Sequence, residues 1–88
     1  MNRKPNYEQT EELVKIYHSC NSRIVAPLVR FLFNYYDREE IEKWMTYKAS
    51  EIDYLMDKEQ HYYIIEYNRS TKKIEVFDLL KMRIEREI

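Results

Sequence analysis

The segment from Asp37 to Leu79 constrains the fold most, because two helical patterns follow each other with almost no room between them. Residues 37–40 read Asp-Arg-Glu-Glu, a capping-box pattern in which the Asp accepts from free backbone N–H groups and the last Glu reaches back. Apolar residues at helical spacing follow on both sides of Thr46-Tyr47, namely Ile41, Trp44 and Met45, then Ile52, Leu55 and Met56. This order predicts a helix, a tight turn and a second helix over residues 38–58.

Two segments that alternate apolar and polar residues come next, over residues 61–67 and 74–79. A polar loop at 68–73 joins them and carries three cations, Arg69, Lys72 and Lys73. Alternation with a period of two is typical of half-buried strands, so the sequence predicts a β-hairpin over residues 61–79 with a basic tip.

The flanking segments also follow helical patterns. Residues 6–9 form a second capping-box pattern that predicts a helix over 6–19. The apolar run 24–36, with Pro27 near its start, predicts a buried helix over 23–36; a strand is the alternative, and a length of about 13 residues favours the helix. Leu80, Ile84 and Ile88 lie four residues apart, which predicts a short C-terminal helix over 80–88. Its apolar stripe would either form a dimer seam or pack against the body of the monomer.

Composition narrows the class of protein. Eighty-eight residues predict one domain, 1–88, and the absence of glycine argues against phosphate-cradling loops and dinucleotide sites. A single cysteine excludes an intrachain disulfide and a zinc site built on thiolates. His18, Ser19 and Cys20 are neighbours in sequence, but adjacent helical residues point about 100° apart and do not form a catalytic pair. We therefore expect no enzyme, no metal and no cofactor.

The expected location is the cytoplasm. No apolar run reaches the roughly 18 residues needed to cross a bilayer, and the first residues are polar rather than signal-like, so no membrane association is expected. Nine tyrosines with abundant Glu and Lys resemble the composition of proteins from hot-living hosts or their viruses. For a viral protein, the location would be the host cytoplasm.

Charge is spread unevenly along the chain. Residues 1–36 carry five basic and three acidic side chains, net +2, and residues 61–88 carry six and five, net +1. Residues 37–60 carry four basic and eight acidic side chains, net −4. The predicted pair of helices is therefore acidic, while the two ends are slightly basic.

Residues 22–80 resemble the winged helix-turn-helix family of DNA-binding domains in the order and pattern of their elements. Thr46 stands at the turn position that this family most often gives to glycine, and Tyr47 stands at the apolar position after it. The resemblance implies a mostly helical α+β fold, a winged helix-turn-helix with a C-terminal β-hairpin wing and flanking terminal helices.

In that family the second helix enters the major groove and the wing lies along the DNA backbone. The resemblance therefore implies a small transcriptional regulator that occupies double-stranded DNA, acting as a homodimer and not by chemistry. The residues implied in DNA binding are Lys48, Ala49, Ser50, Tyr54, Arg69, Ser70, Thr71, Lys72 and Lys73. The outward face of the second helix also includes Glu51 and Asp53. The dimer seam would consist of Leu80, Ile84 and Ile88.

A protein-binding function on the same scaffold is the alternative. Its surface would be the acidic face of the helix pair, composed of Glu39, Glu42, Glu51, Asp53 and Asp57. Such a face would dock a basic host factor that itself binds nucleic acid, and so inhibit it. The net charge of −1 favours this alternative, because DNA-binding domains tend to be basic.

Overall fold

The structure, a computed structural model, describes residues 4–18, 23–57 and 62–88, which form four helices followed by a three-stranded antiparallel sheet. The elements are α1 (Tyr7–His18), α2 (Val25–Leu32), α3 (Arg38–Met45), α4 (Ala49–Asp57), β1 (Tyr63–Asn68), β2 (Lys73–Asp78) and β3 (Arg83–Glu87). The predicted α+β class is confirmed. Predictions for Ser19, Cys20, Lys58 and His61 lie outside the described residues.

Both predicted capping boxes are present. At the start of α1, the Gln9 N–H donates to Asn6 Oδ1 at 2.8 Å and the Asn6 N–H donates to Gln9 Oε1 at 3.1 Å. At the start of α3, the Glu40 N–H donates to Asp37 Oδ1 at 2.9 Å and the Asp37 N–H donates to Glu40 Oε2 at 3.1 Å. Each box satisfies two backbone donors that a helix start leaves open, which explains where both helices begin.

Helix α2 ends four residues earlier than the predicted bound at 36. Residues 33–36 form a turn, in which the Tyr35 N–H and the Tyr36 N–H both donate to the Leu32 carbonyl, at 3.0 and 2.8 Å. The hydrogen bond from Tyr35 spans three residues instead of the four of an α-helix, so the chain is wound more tightly here than in an α-helical turn. Tyr36 is buried while Tyr35 is half-buried, so the tightened turn places these neighbours in different surroundings.

The core lies between the helices and one face of the sheet. Helix α2 is at its centre and contacts α1, α4 and β1. The fully buried side chains come from every helix and from β2: Leu13, Leu28, Val29, Leu32, Ile41, Met45, Ile52 and Ile74. The inner face of the sheet supplies Ile65, Ile74 and Val76, as the alternation of the hairpin predicts. Its outer face carries Ile64, Phe77 and Ile84 in one row across the three strands.

The sheet is a meander whose two turns share one design. In the β1–β2 turn, Asn68 Oδ1 accepts from the N–H groups of Ser70 and Thr71 at 2.9 and 3.2 Å. Ten residues later, Asp78 Oδ1 accepts from Leu80 and Lys81 at 2.8 and 3.2 Å. The fourth residue after each acceptor, Lys72 or Met82, has a positive φ of 59° or 55°. Because Asn68 pairs with Lys73, the β1–β2 loop has four residues, 69–72, rather than the predicted six.

The prediction of a C-terminal helix over 80–88 is wrong, since Arg83–Glu87 is strand β3. A spacing of four residues fits one face of a strand as well as one face of a helix, so Ile84 and Ile88 did not distinguish the two. Ile88 exchanges two backbone hydrogen bonds with Ile74, at 2.8 and 3.1 Å. Pairing with β2 gives the backbone of this segment hydrogen-bond partners, whereas a short isolated helix would be only marginally stable.

The predicted apolar stripe of Leu80, Ile84 and Ile88 is likewise absent. Leu80 lies in the β2–β3 turn and is 63% exposed. A register shift between Val76 and Phe77 places Ile84 opposite Phe77 on the outer face, whereas Ile88 pairs with buried Ile74 on the inner face. These three side chains do not form one seam, and homodimerisation itself stays a prediction.

The turn between α3 and α4 has the left-handed backbone that usually selects glycine. Thr46 has φ 56° and ψ 12°, and its N–H donates to the Glu42 carbonyl at 3.0 Å, so α3 ends there. For a residue with a Cβ this conformation costs roughly 1–2 kcal/mol. Helices α3 and α4 are therefore separate elements, as the sequence predicts.

We expect Thr46→Gly to raise the free energy of unfolding by about 0.5–1 kcal/mol, because glycine adopts this φ without the Cβ penalty but loses more entropy on folding. Urea denaturation followed by circular dichroism measures the change. Thr46→Ala keeps a Cβ at the same φ and is the control, with no gain expected. A loss of about 1 kcal/mol for Thr46→Gly, as for a glycine inside a continuous helix, would contradict the break at Thr46.

Candidate nucleic-acid interface

Helix α1 supports the turn that separates α3 from α4. The Tyr17 hydroxyl donates to the Met45 carbonyl, the last residue of α3, at 3.3 Å. The Tyr17 ring also packs edge-on against Tyr47, with 5.5 Å between the ring centroids. These contacts fix the turn from the side of the core, and they leave the opposite side of the turn exposed at Thr46 and Lys48.

The N-terminus of α4 is exposed, and the carboxylate of Glu51, from the same helix, caps it. The Lys48 N–H donates to Glu51 Oε2 at 3.1 Å, so this carboxylate lies against the start of the helix. A negative charge there is favoured by the helix dipole. Lys48, Ala49 and Ser50 are exposed around it, and Tyr54 one turn later is 62% exposed.

Arg38 connects the start of α3 to α4. Its Nη1 lies 2.7 Å from Asp53 Oδ1 and donates to the Ala49 carbonyl at 3.1 Å. The guanidinium carbon lies 5.3 Å from the centroid of the Phe33 ring, within the range of a cation–π contact. Arg38 therefore links the start of α3 to α4 and places a cation against the Asp53 carboxylate.

The β1–β2 turn is anchored to the body of the protein. The Gln9 side-chain amide donates to the Lys72 carbonyl and to the Ile88 carbonyl, each at 3.0 Å. Gln9 thus caps α1 with its oxygen and binds the sheet with its nitrogen. The last residue of the turn is thereby tied to the start of α1.

The side chains of this turn are exposed and basic. Arg69, Ser70, Thr71, Lys72 and Lys73 all lie at the surface. Lys73 Nζ is 3.9 Å from Glu87 Oε2, an ion pair that the exposed setting makes weak. The turn and the first residue of β2 therefore present three cations, Arg69, Lys72 and Lys73.

Arg69 lies close enough to Tyr35 to act on its phenol. Burial raises the pKa of Tyr35, the neighbouring Tyr67 raises this pKa further, and the Arg69 guanidinium opposes both. Tyr35 belongs to the same connection between α2 and α3 that leads to Arg38. The predicted site residues thus form two groups, one at the start of α4 and one in the β1–β2 turn.

Sequence reasoning missed the residues that hold this surface in place. The sequence pattern indicates only a capping role for Gln9, although its amide also binds the carbonyls of Lys72 and Ile88. The Arg38–Asp53 pair joins residues 15 positions apart, on two different helices, for which no periodic signal exists.

Comparison with known proteins assigns no relative, since no protein-family model, no curated protein and no solved structure matches the chain. Across residues 4–18, 23–57 and 62–88, no helix is both long and apolar enough to cross a membrane. The same described part of the chain holds no group of three or more His, Cys, Asp or Glu side chains arranged to bind a metal ion.

Proposed function

We propose that this protein is a small DNA-binding regulator of the winged helix-turn-helix type, which occupies duplex DNA through the start of α4 and the β1–β2 turn. In this arrangement α4 enters the major groove with Lys48, Ala49, Ser50 and Tyr54. The β1–β2 turn serves as the wing and meets phosphates with Arg69, Lys72 and Lys73. The exposed start of α4, behind a turn with left-handed Thr46, is the observation that carries the proposal.

The acidic composition of α4 does not oppose this function as strongly as its net charge suggests. Glu51 lies against the N-terminus of its own helix, and Asp53 lies 2.7 Å from Arg38. Two of the three carboxylates on α4 thus have cationic or dipolar partners within the protein. The third, Asp57, lies in the last turn of α4, away from the end that would enter the groove.

The same contacts weaken the case for an acidic docking face. That face needs Glu51 and Asp53 to present charge to a basic partner, and both carboxylates are already engaged within the protein. Of the five residues of this face, three remain to present charge to a partner, namely Glu39, Glu42 and Asp57. Docking of a basic host factor stays a prediction, and the absence of DNA binding at low salt would favour it.

A duplex-DNA shift assay across a range of salt concentrations tests the proposal. We expect affinity to fall steeply with salt, because each cation that neutralises a phosphate releases condensed counterions. Lys72→Ala should lower the magnitude of the logarithmic salt slope by about one, with a similar effect on unrelated sequences.

Lys81→Ala is the matched control, because Lys81 lies in the β2–β3 turn, which has the same design at the other end of the sheet. Its salt slope should equal that of the wild type. Equal slope changes in both variants would indicate a general charge effect, and no binding at low salt would reject the function.

A further inference from the structure

A groove of about 500 Å³ lies between α1 and the segment from Tyr36 to Trp44, apart from the proposed DNA surface. Its aromatic walls are Tyr7, Tyr36 and Trp44, and the carboxylates of Glu11 and Glu40 also line it. This volume falls within the range of sites that hold small ligands. The combination of aromatic rings and carboxylates favours a positively charged occupant.

Two of the three rings of this groove, Tyr36 and Trp44, are packed before any ligand arrives, whereas Tyr7 is 80% exposed. Tyr36 is only 9% exposed, and its hydroxyl shares a 2.9 Å hydrogen bond with the Thr10 hydroxyl. Trp44 packs edge-on against Tyr36, with 4.5 Å between centroids and an angle of 84°. A rigid ring face loses little conformational freedom on binding, which favours affinity.

The chain places a cation of its own at this ring. Lys4 Nζ lies 4.3 Å from the centroid of the Tyr36 ring, within the distance of a cation–π contact. Lys4 is exposed and precedes the first helix, so its side chain can leave without disturbing the core. The position of this ammonium marks where a ligand cation would sit.

We propose that this groove binds a methylated ammonium group, which replaces the Lys4 ammonium over the Tyr36 ring. A quaternary ammonium is attracted by the face of the Tyr36 ring as Lys4 is, and it is less strongly hydrated than a primary ammonium. Glu11 pairs with Lys15 at 3.5 Å and Glu40 caps the start of α3, so the attraction comes chiefly from the Tyr36 ring, and Lys4 acts as an internal competitor for it.

Titration with choline tests the proposal, with fluorescence of Trp44, the only tryptophan of the chain, as the readout. Lys4→Ala removes the competitor and should bind choline about three- to tenfold more tightly than the wild type. Lys81→Ala, an exposed lysine at the β2–β3 turn, is the control and should bind like the wild type. A peptide with trimethyllysine distinguishes a protein side chain from a free small cation as the source of the group.

The neutral alcohol in which a carbon atom replaces the choline nitrogen has the shape of choline without its charge, and it therefore tests whether the charge is recognised. It should bind at least about threefold more weakly than choline if ring faces attract the charge. Equal binding of the two compounds overturns the proposal, and so does weaker choline binding by Lys4→Ala. Failure of Lys4→Ala to bind either choline or the peptide would mean that the groove only anchors the N-terminal segment.

Discussion

Replacement of Ile52 with alanine is expected to lower the free energy of unfolding by about 3 kcal/mol. Ile52 is completely buried and belongs to α4, the helix that packs on the central α2. Alanine leaves a cavity at this contact, and a domain of this size would melt roughly 10–20 °C lower. Urea and thermal denaturation by circular dichroism measure both changes.

Ile64→Ala is the matched control, because it makes the same chemical change at an isoleucine that is 43% exposed on the outer face of the sheet. Its expected loss is below about 1 kcal/mol, since water already contacts much of the side chain. Losses of similar size at both positions would contradict the packing of α4 described above.

Removal of the Arg38 side chain should have the largest effect on DNA binding. Arg38→Met frees the Asp53 carboxylate from its partner at 2.7 Å and leaves it next to the start of α4. An uncompensated carboxylate close to phosphates should weaken DNA binding by about tenfold, equivalent to about 1.4 kcal/mol. The shift assay at fixed low salt measures this loss, and circular dichroism checks that the variant is folded.

The double variant Arg38→Met, Asp53→Asn distinguishes two roles of the arginine. If Arg38 acts by neutralising Asp53, the double variant should recover most of the lost affinity. If Arg38 instead contacts phosphate itself, the second substitution restores little. Such a failure of rescue would contradict the role assigned to the Arg38–Asp53 pair.

The sequence predicted those features whose cause is local. Each capping box depends on two residues three positions apart, and both boxes are present at Asn6 and Asp37. The alternation of β1 and β2 placed Ile65 and Val76 on the buried face. Each of these patterns needs only a short window of sequence, which is why composition and spacing were sufficient.

Features with a distant cause were missed. The last residues form β3 because β2 offers them an edge, and a stripe with spacing four is equally compatible with a helix. The register shift opposite Val76 and Phe77 then separates Ile84 from Ile88. No local rule predicts such a pairing, since it depends on the meander folding first.

The support of the candidate site is also non-local. Gln9 reaches carbonyls 63 and 79 residues away, and Arg38 reaches the next helix. The exposed residues of the candidate site were thus predicted from their order in the chain. The contacts that orient them became visible only in three dimensions.

The most direct test of the proposed DNA surface is to measure the changes in backbone amide chemical shifts when duplex DNA is added to isotope-labelled protein. At low salt, the largest changes are expected at Lys48, Ala49 and Ser50 and at residues 69–72, with the β2–β3 turn unaffected. Changes confined to the acidic residues Glu39 and Glu42, or no changes anywhere, would contradict DNA binding through this surface.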